Sequence, residues 1–335
     1  LGLLHTLVGA IPEKYQWVLN LVGMEGSVEL GLAELNSLLK DEELEMYHSE
    51  ILFLITFLQL NMTDDEVAYN YLLDEIGHKY SDSYLLNFAA ARLYHQLGSN
   101  ELCIKVLENR PVSEGKYDFH YLDYLQGMSY LYKLDFEKSE MLFIRFLNNF
   151  KGNNYLKSAY QKLSWIAFLK ENTDKKISYL KKIKSEGKAF IDEDKVALNE
   201  ANKNHINSPK LLRARLFYDG GYYKKAHLEL TRVNNLSDYN GFFDEYYYRL
   251  ARIESKLNYI DEQVINKYQK SFDLGRKSTN YYAPMSALQI GLIYEKKNDY
   301  KKAVIYFEKC LSLSEFDYER GIHQKAKVSL SRLTN

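Results

Sequence analysis

The chain has 335 residues, of which 46 % are hydrophobic and 27 % charged, so it can bury a core and is not of disordered composition. Lys and Arg number 44 against 45 Asp and Glu, and this balance removes a global electrostatic argument for nucleic acid. Its longest apolar run, Ile51–Leu58, is too short to cross a bilayer and reads as a fully buried helix.

Charge is unevenly spread. Residues 1–100 carry 15 acidic and 4 basic side chains, and residues 151–232 carry 18 basic and 9 acidic. Tyrosine is abundant at 30 residues, which suits half-buried layers where a ring packs and a hydroxyl stays wet. The two cysteines, Cys103 and Cys310, are far apart and fall at core places, so they read as small buried hydrophobes, which fits a reducing compartment without excluding an oxidising one. No signal peptide is visible. Because the chain begins at Leu1 rather than Met, a cropped or processed end stays open, and a cytoplasmic location is favoured only slightly over a periplasmic one.

The first 40 residues form no repeat. LGLLHTLVGA reads as a buried helix, Pro12 as the first-turn residue of the next, and Ser27 as the cap of a third. Here Gly2-Leu3-Leu4, Ile11-Pro12, Leu21 to Gly26, and Gly31-Leu32 with Leu35 distantly resemble the tetratricopeptide repeat protein 39 family and its fungal inclusion-body-clearance relatives. That resemblance implies an all-helical adaptor without catalytic residues. A long helix is expected over Asp41–Asn61. Thr63-Asp64-Asp65-Glu66 then reads as a capping box for a partner helix that Gly77 ends.

From Tyr84 a period of about 34 residues sets in. It is clearest in its last copy, from Pro284 to Glu315, where Ile290, Gly291, Tyr294, Ala303, Phe307 and Cys310 take the seventh, eighth, eleventh, twentieth, twenty-fourth and twenty-seventh places. This unit resembles a tetratricopeptide repeat. The resemblance implies an all-α, right-handed superhelical solenoid of antiparallel helix pairs, whose stacked units create a groove for a protein partner. The expected organisation is an acidic helical segment over 1–82, repeats over 83–316, and a capping helix over 317–335. Repeat units are placed at about 84–112, 120–151, 155–188, 207–235, 244–277 and 284–315, with an extra polar helix at about 192–204.

The fit varies along the chain. Ala91, Tyr94 and Cys103 occupy the eighth, eleventh and twentieth places of the first unit, with Gly98 in its turn. Gly127, Tyr130, Ser139, Phe143 and Phe146 do the same in the second, and Ala214, Phe217 and Ala226 restore the pattern around Gly220-Gly221. In the 155–188 unit several registers fit equally.

Groove-facing places of the first helices carry Arg92, Arg215 and Arg252 at the ninth position, with Tyr124, Tyr218 and Tyr248 as contact surface. Phe88, His95, Tyr121, Met128, Tyr132 and Leu211 fall at neighbouring groove places. Arginine offers a forked donor for carboxylates and tyrosine a rigid contact face, so the expected partner is a protein or peptide segment with acidic and apolar side chains. Equally, these arginines could pair with acids such as Asp219 and Glu245 while the tyrosines pack between repeats. The basic helix KKISYLKKIK, Lys175–Lys184, reads as a solvated outer face before any anionic surface.

No phosphate loop, nucleophile elbow or His-Glu-x-x-His occurs, and no cofactor or enzyme activity is expected. The competing class is a di-iron or di-manganese carboxylate enzyme. It would use the Glu-x-x-His steps Glu45–His48 and Glu75–His78, with Glu29, Glu34 or Glu50 as further ligands.

Overall fold

A computed structural model describes residues 1–11, 16–21, 23–63, 65–112, 115, 118–203, 208–232, 239 and 241–334. Among them every regular element is helical. The chain divides into two compact units, one of residues 1–166 and 178–197 and the other of residues 167–177 and 198–335.

The first unit opens with α1 (Gly2–Gly9), α2 (Gln16–Leu21) and α3 (Val28–Leu38). α1 and α3 meet almost backbone to backbone. A Cβ on Gly31 would stand 2.1 Å from Thr6 Oγ1 and 2.3 Å from the Gly2 carbonyl oxygen, and one on Gly26 would stand 2.6 Å from the His5 carbonyl oxygen. Such an approach leaves room only for glycine. The contact covers a single face, so the expectation of a buried first helix is corrected: Gly2, Thr6 and Val8 are buried, whereas Leu3, Leu4 and Leu7 are exposed. Ser27 caps α3 as expected, accepting the Leu30 N–H at 3.0 Å. Pro12, like Asp64 and Asn204, lies outside the described residues.

The helix expected over Asp41–Asn61 is two elements. Asp41 accepts the Glu43 N–H at 3.0 Å and starts a 3₁₀ helix, Glu42–Tyr47, which α4 (His48–Met62) continues. Its apolar run is not fully buried either. Ile51, Leu52, Ile55 and Leu58 lie inward at helical spacing, and Phe57, on the other side, is half exposed. Asp65 caps α5 (Glu66–Ile76), accepting from Val67 N–H at 2.9 Å and Ala68 N–H at 3.2 Å. Thr63 instead turns its hydroxyl back to the Gln59 carbonyl at 3.0 Å, so the Thr63–Glu66 box does not form. Gly77, at φ +50°, ends α5 before the 3₁₀ helix Gly77–Ser81.

Helix pairs follow: α6 (Tyr84–Gln96) with α7 (Asn100–Glu108), α8 (Tyr121–Tyr132) with α9 (Phe136–Asn149), and α10 (Leu156–Leu169) with α11 (Thr173–Ser185). The polar helix is α12 (Asp192–Lys203). Three more pairs belong to the second unit: α13 (Pro209–Asp219) with α14 (Tyr223–Thr231), α15 (Phe243–Lys256) with α16 (Asp261–Gly275), and α17 (Tyr282–Lys296) with α18 (Tyr300–Leu311). α19 (Glu319–Thr334) comes last and buries Ile322 and Ala326 in the core that holds Ala303 and Phe307.

All six pairs close with the same turn. A residue in the left-handed region follows each first helix: Gly98, Leu134, Glu171, Gly221, Asn258 and Asn298, at φ between +56° and +79°. The next N–H then reaches back five residues, from Ser99 to Tyr94, Asp135 to Tyr130, Asn172 to Ala167, Tyr222 to Phe217, Tyr259 to Glu254 and Asp299 to Tyr294, at 2.8–3.0 Å. This is the Schellman closure, which satisfies carbonyls that a helix end leaves open.

Within a pair, the small residues at the eighth and twentieth places touch. Ser139 Oγ donates to the Gly127 carbonyl at 2.8 Å, and Cys103 Sγ donates to the Ala91 carbonyl at 3.3 Å. In the last pair Gly291 faces Phe307, and a Cβ there would stand 2.5 Å from the ring, so only glycine fits beside it. Phe307 is wholly buried, and burying such a ring is worth roughly 1.5–3 kcal/mol.

Candidate functional site

In the first unit, α6, α8, α10 and α12 together wall a cavity of about 160 Å³. Asp194 of α12, next to the lining Glu193, fixes the lining residue Tyr155 and the start of α10. Fully buried, Asp194 accepts the Tyr155 N–H at 2.6 Å and the Ser158 N–H at 2.9 Å, capping α10 from 36 to 39 residues downstream. Tyr155 sits at φ +65°, and its ring packs at 4.5 Å from Tyr121 and 5.1 Å from Tyr124. The same helix is tied at its far side by Lys157, whose ammonium donates to the Ile183 carbonyl in the last turn of α11 at 2.7 Å.

Tyr124 is buried rather than presented as an open contact face, and its hydroxyl shares a 2.7 Å hydrogen bond with Ser158 Oγ. Burial, opposed by that hydrogen bond, keeps the phenol protonated well above its ordinary range. Lys162 is also buried. It donates to Gln161 Oε1 at 2.5 Å and lies 4.0 Å above the Trp165 ring. Arg92 and His95 from α6 and Glu193 from α12 complete the polar lining, with Met128 and Tyr132 on the apolar side. Arg92 is half-buried, and no carboxylate pairs with it among the described residues. Phe88, expected beside this groove, instead joins an aromatic row with Phe53, Phe119 and Tyr121 at 5.7–6.0 Å.

The other four predicted residues come together in the second unit. Arg252 donates to Asp219 Oδ1 at 3.0 Å, and Arg215 reaches Asp219 Oδ2 at 3.6 Å. The Arg252 guanidinium lies 3.8 Å above the Tyr218 ring and 5.6 Å from that of Tyr248. Tyr248 is buried, and burial first, then the neighbouring Tyr281, raises its pKa. Asp219 therefore takes both expected arginines, while Glu245 takes Arg249, which donates to it at 2.6 Å from Nε. Leu211, read as a groove residue, is wholly buried.

Sequence reasoning passed over Arg249, Tyr281, Tyr282 and Tyr318. Arg249 is 2 % exposed and sits one turn after Glu245, a spacing that does signal an ion pair. Tyr281 and Tyr318 precede helices rather than lie on their groove faces; Tyr281 meets Tyr248 edge-on at 5.6 Å and Tyr318 at 5.4 Å. No groove periodicity could find them.

Residues 286–317 match the family model of the tetratricopeptide repeat. No curated protein matches the chain, so the resemblance of its first residues to the tetratricopeptide repeat protein 39 family rests on those residues alone. The tetratricopeptide repeat match falls on α17 and α18, the pair with the clearest pattern, and such repeats generally mediate protein–protein interaction. The Glu-x-x-His steps have a different fate. Glu45 lies exposed in the 3₁₀ helix, and Gly77 breaks the helix between Glu75 and His78, so those two share no helix face. Glu34 is engaged by His5 at 2.8 Å. Among the described residues no group of three or more His, Cys, Asp or Glu side chains is placed to hold a metal ion, and no helix is long and apolar enough to cross a membrane.

Proposed function

We propose that this protein is a non-catalytic scaffold whose helix pairs hold a segment of another protein, one bearing acidic side chains. Arg92 and Tyr124 serve it in the first unit, and Arg215, Tyr218, Tyr248 and Arg252 in the second. The observation that carries the reading is the contrast between the arginines. Arg215 and Arg252 share Asp219, so their charge is largely spent within the fold, whereas Arg92 borders a tyrosine-walled cavity and makes no ion pair among the described residues, Glu193 on the same lining included. An arginine desolvated on one side and unpaired favours a carboxylate that arrives with a partner. Tyr124 and Tyr248 then act as the rigid floor under the segment, and Arg215, 30 % exposed, is the more reachable cation of the second cluster.

A displayed peptide library selected on the purified protein tests this. Acidic segments should be enriched, and Arg92→Glu should lose them while its unfolding transition stays that of the wild type. Equal capture by the Arg92→Glu variant, or enrichment of basic segments, would overturn the proposal.

A further inference from the structure

α3, α4 and α5 enclose a second groove, of about 610 Å³, on the acidic part of the chain. Its floor is Ile55 and Leu72, both buried, and its wall includes Ala33 and Ala68. Val67 and Tyr71, one turn apart on α5, stand at 79 % and 46 % exposure. Two adjacent side chains of that size left in water next to an apolar floor mark a docking face. The surroundings are acidic. Asp65 lines the groove, burial and then Glu75, one turn beyond Tyr71, raise the Tyr71 phenol pKa, and α5 itself carries three acids and no base; Lys40 is the cation on its lining.

The chain also contains the complementary surface. Over Lys175–Lys184, α11 has five lysines and no acid. Leu180 and Ile183 are turned into the fold, which leaves Ile177, 47 % exposed, on the outer side with Lys181 and Lys184 at the following turns. One apolar knob followed by lysines suits a groove with an apolar floor and an acidic rim, because lysine stems cover Val67 and Tyr71 while their ammonium groups reach the carboxylates.

We propose that this groove docks α11 of a second copy of the chain. The contact joins two different faces and is head-to-tail: after one contact, one copy still has a free groove and the other a free α11, so further copies can add. The inference is independent of the segment-binding reading, since it uses neither Arg92 nor the Arg252 cluster.

Sedimentation velocity of the purified 39.4 kDa chain over a concentration series tests it. At an ionic strength of about 0.03 M, the weight-average mass should climb to at least twice the single-chain value with concentration. At about 0.5 M, where screening acts within roughly 4–5 Å, it should return to that value. Val67→Lys/Tyr71→Lys should sediment as single chains, and so should Lys181→Glu/Lys184→Glu; all four positions are exposed, and circular dichroism confirms the fold. Mixed together, the first variant still offers α11 but no groove. The second offers a groove but no α11. A contact in which α11 of the first enters the groove of the second should therefore give a one-to-one pair that grows no further. Single chains at every concentration, association that survives high salt or either variant, or a mixture that stays unpaired would each overturn the proposal.

Discussion

Asp194 holds the backbone of Tyr155 in place through a 2.6 Å hydrogen bond spanning 39 residues. Burial raises the carboxyl's pKa, against the Ser158 and Tyr155 N–H groups that lower it. A carboxyl whose folded pKa is raised binds its proton more readily folded than unfolded. Its contribution is thus fully present below the unfolded value, about 3.9, and lost as pH rises through the folded one. Urea unfolding of wild type and Asp194→Asn should show the wild type losing ground to the variant as pH rises from about 4 to about 7. Asp194→Ala, which leaves both N–H groups without an acceptor, should cost about 1–2 kcal/mol near pH 4 and less as pH rises. Parallel pH profiles for wild type and Asp194→Asn would refute the account.

Arg252 and Asp219 should be energetically coupled. Methionine at position 252 keeps the apolar stem over Tyr218 but leaves Asp219 only the longer contact to Arg215. The expected loss is about 2 kcal/mol, below that of a fully buried pair because Asp219 retains access to water. A double-mutant cycle with Asp219→Asn measures it; single losses that simply add would show no coupling.

Two glycines at the same place in different pairs should differ. A Cβ on Gly291 would press to 2.5 Å from the Phe307 ring, whereas one on Gly127 would stand 3.1 Å from Phe143. Gly291→Ala should therefore destabilise by about 1–3 kcal/mol. For Gly127→Ala, the helix-propensity gain of alanine offsets part of a smaller clash, and the net change should stay under about 1 kcal/mol. Denaturant midpoints compare the two directly.

Glu171 occupies the left-handed turn position that glycine takes at Gly98 and Gly221. It is exposed, so Glu171→Gly removes no packing and should stabilise by up to about 1 kcal/mol, seen as a higher urea midpoint at unchanged slope.

Both thiols should be inert in the folded chain. Burial pushes Cys103 up to about 11, opposed by its Ser129 hydrogen bond, and Cys310 up to about 12. At pH 8 a thiol-selective dye should label neither until urea unfolds the protein, and rapid native labelling of Cys103 would contradict its packing.

Much of the helix-pair pattern could be read from residues close together in sequence. Gly291, Tyr294, Ala303 and Phe307 lie within seventeen positions, and their steric roles act inside one hairpin. The predicted cations and rings of the candidate sites were also legible one by one. What they do to each other was not. Asp194 caps a helix that starts 38 residues before it, Arg249 pairs on the buried side of α15, and Tyr318 enters its cluster from a position between helices. Each contact depends on how successive pairs stack, and no single period encodes that. Capping near the N-terminus failed more locally: Asp65 and Thr63 both precede α5, and the helix starts two residues later than the box requires, with the Asp65 carboxylate as its cap.

The six turns set how the chain should respond to force. Each pair is closed by its own backbone hydrogen bond over five residues, whatever side chain occupies the left-handed position. A molecule stretched from its two ends can therefore yield one hairpin at a time, because losing one pair leaves the closures of the others intact. Its extension trace should rise in a staircase of steps, each releasing about 34 residues, and on relaxation the same steps should refold from any surviving hairpin outward.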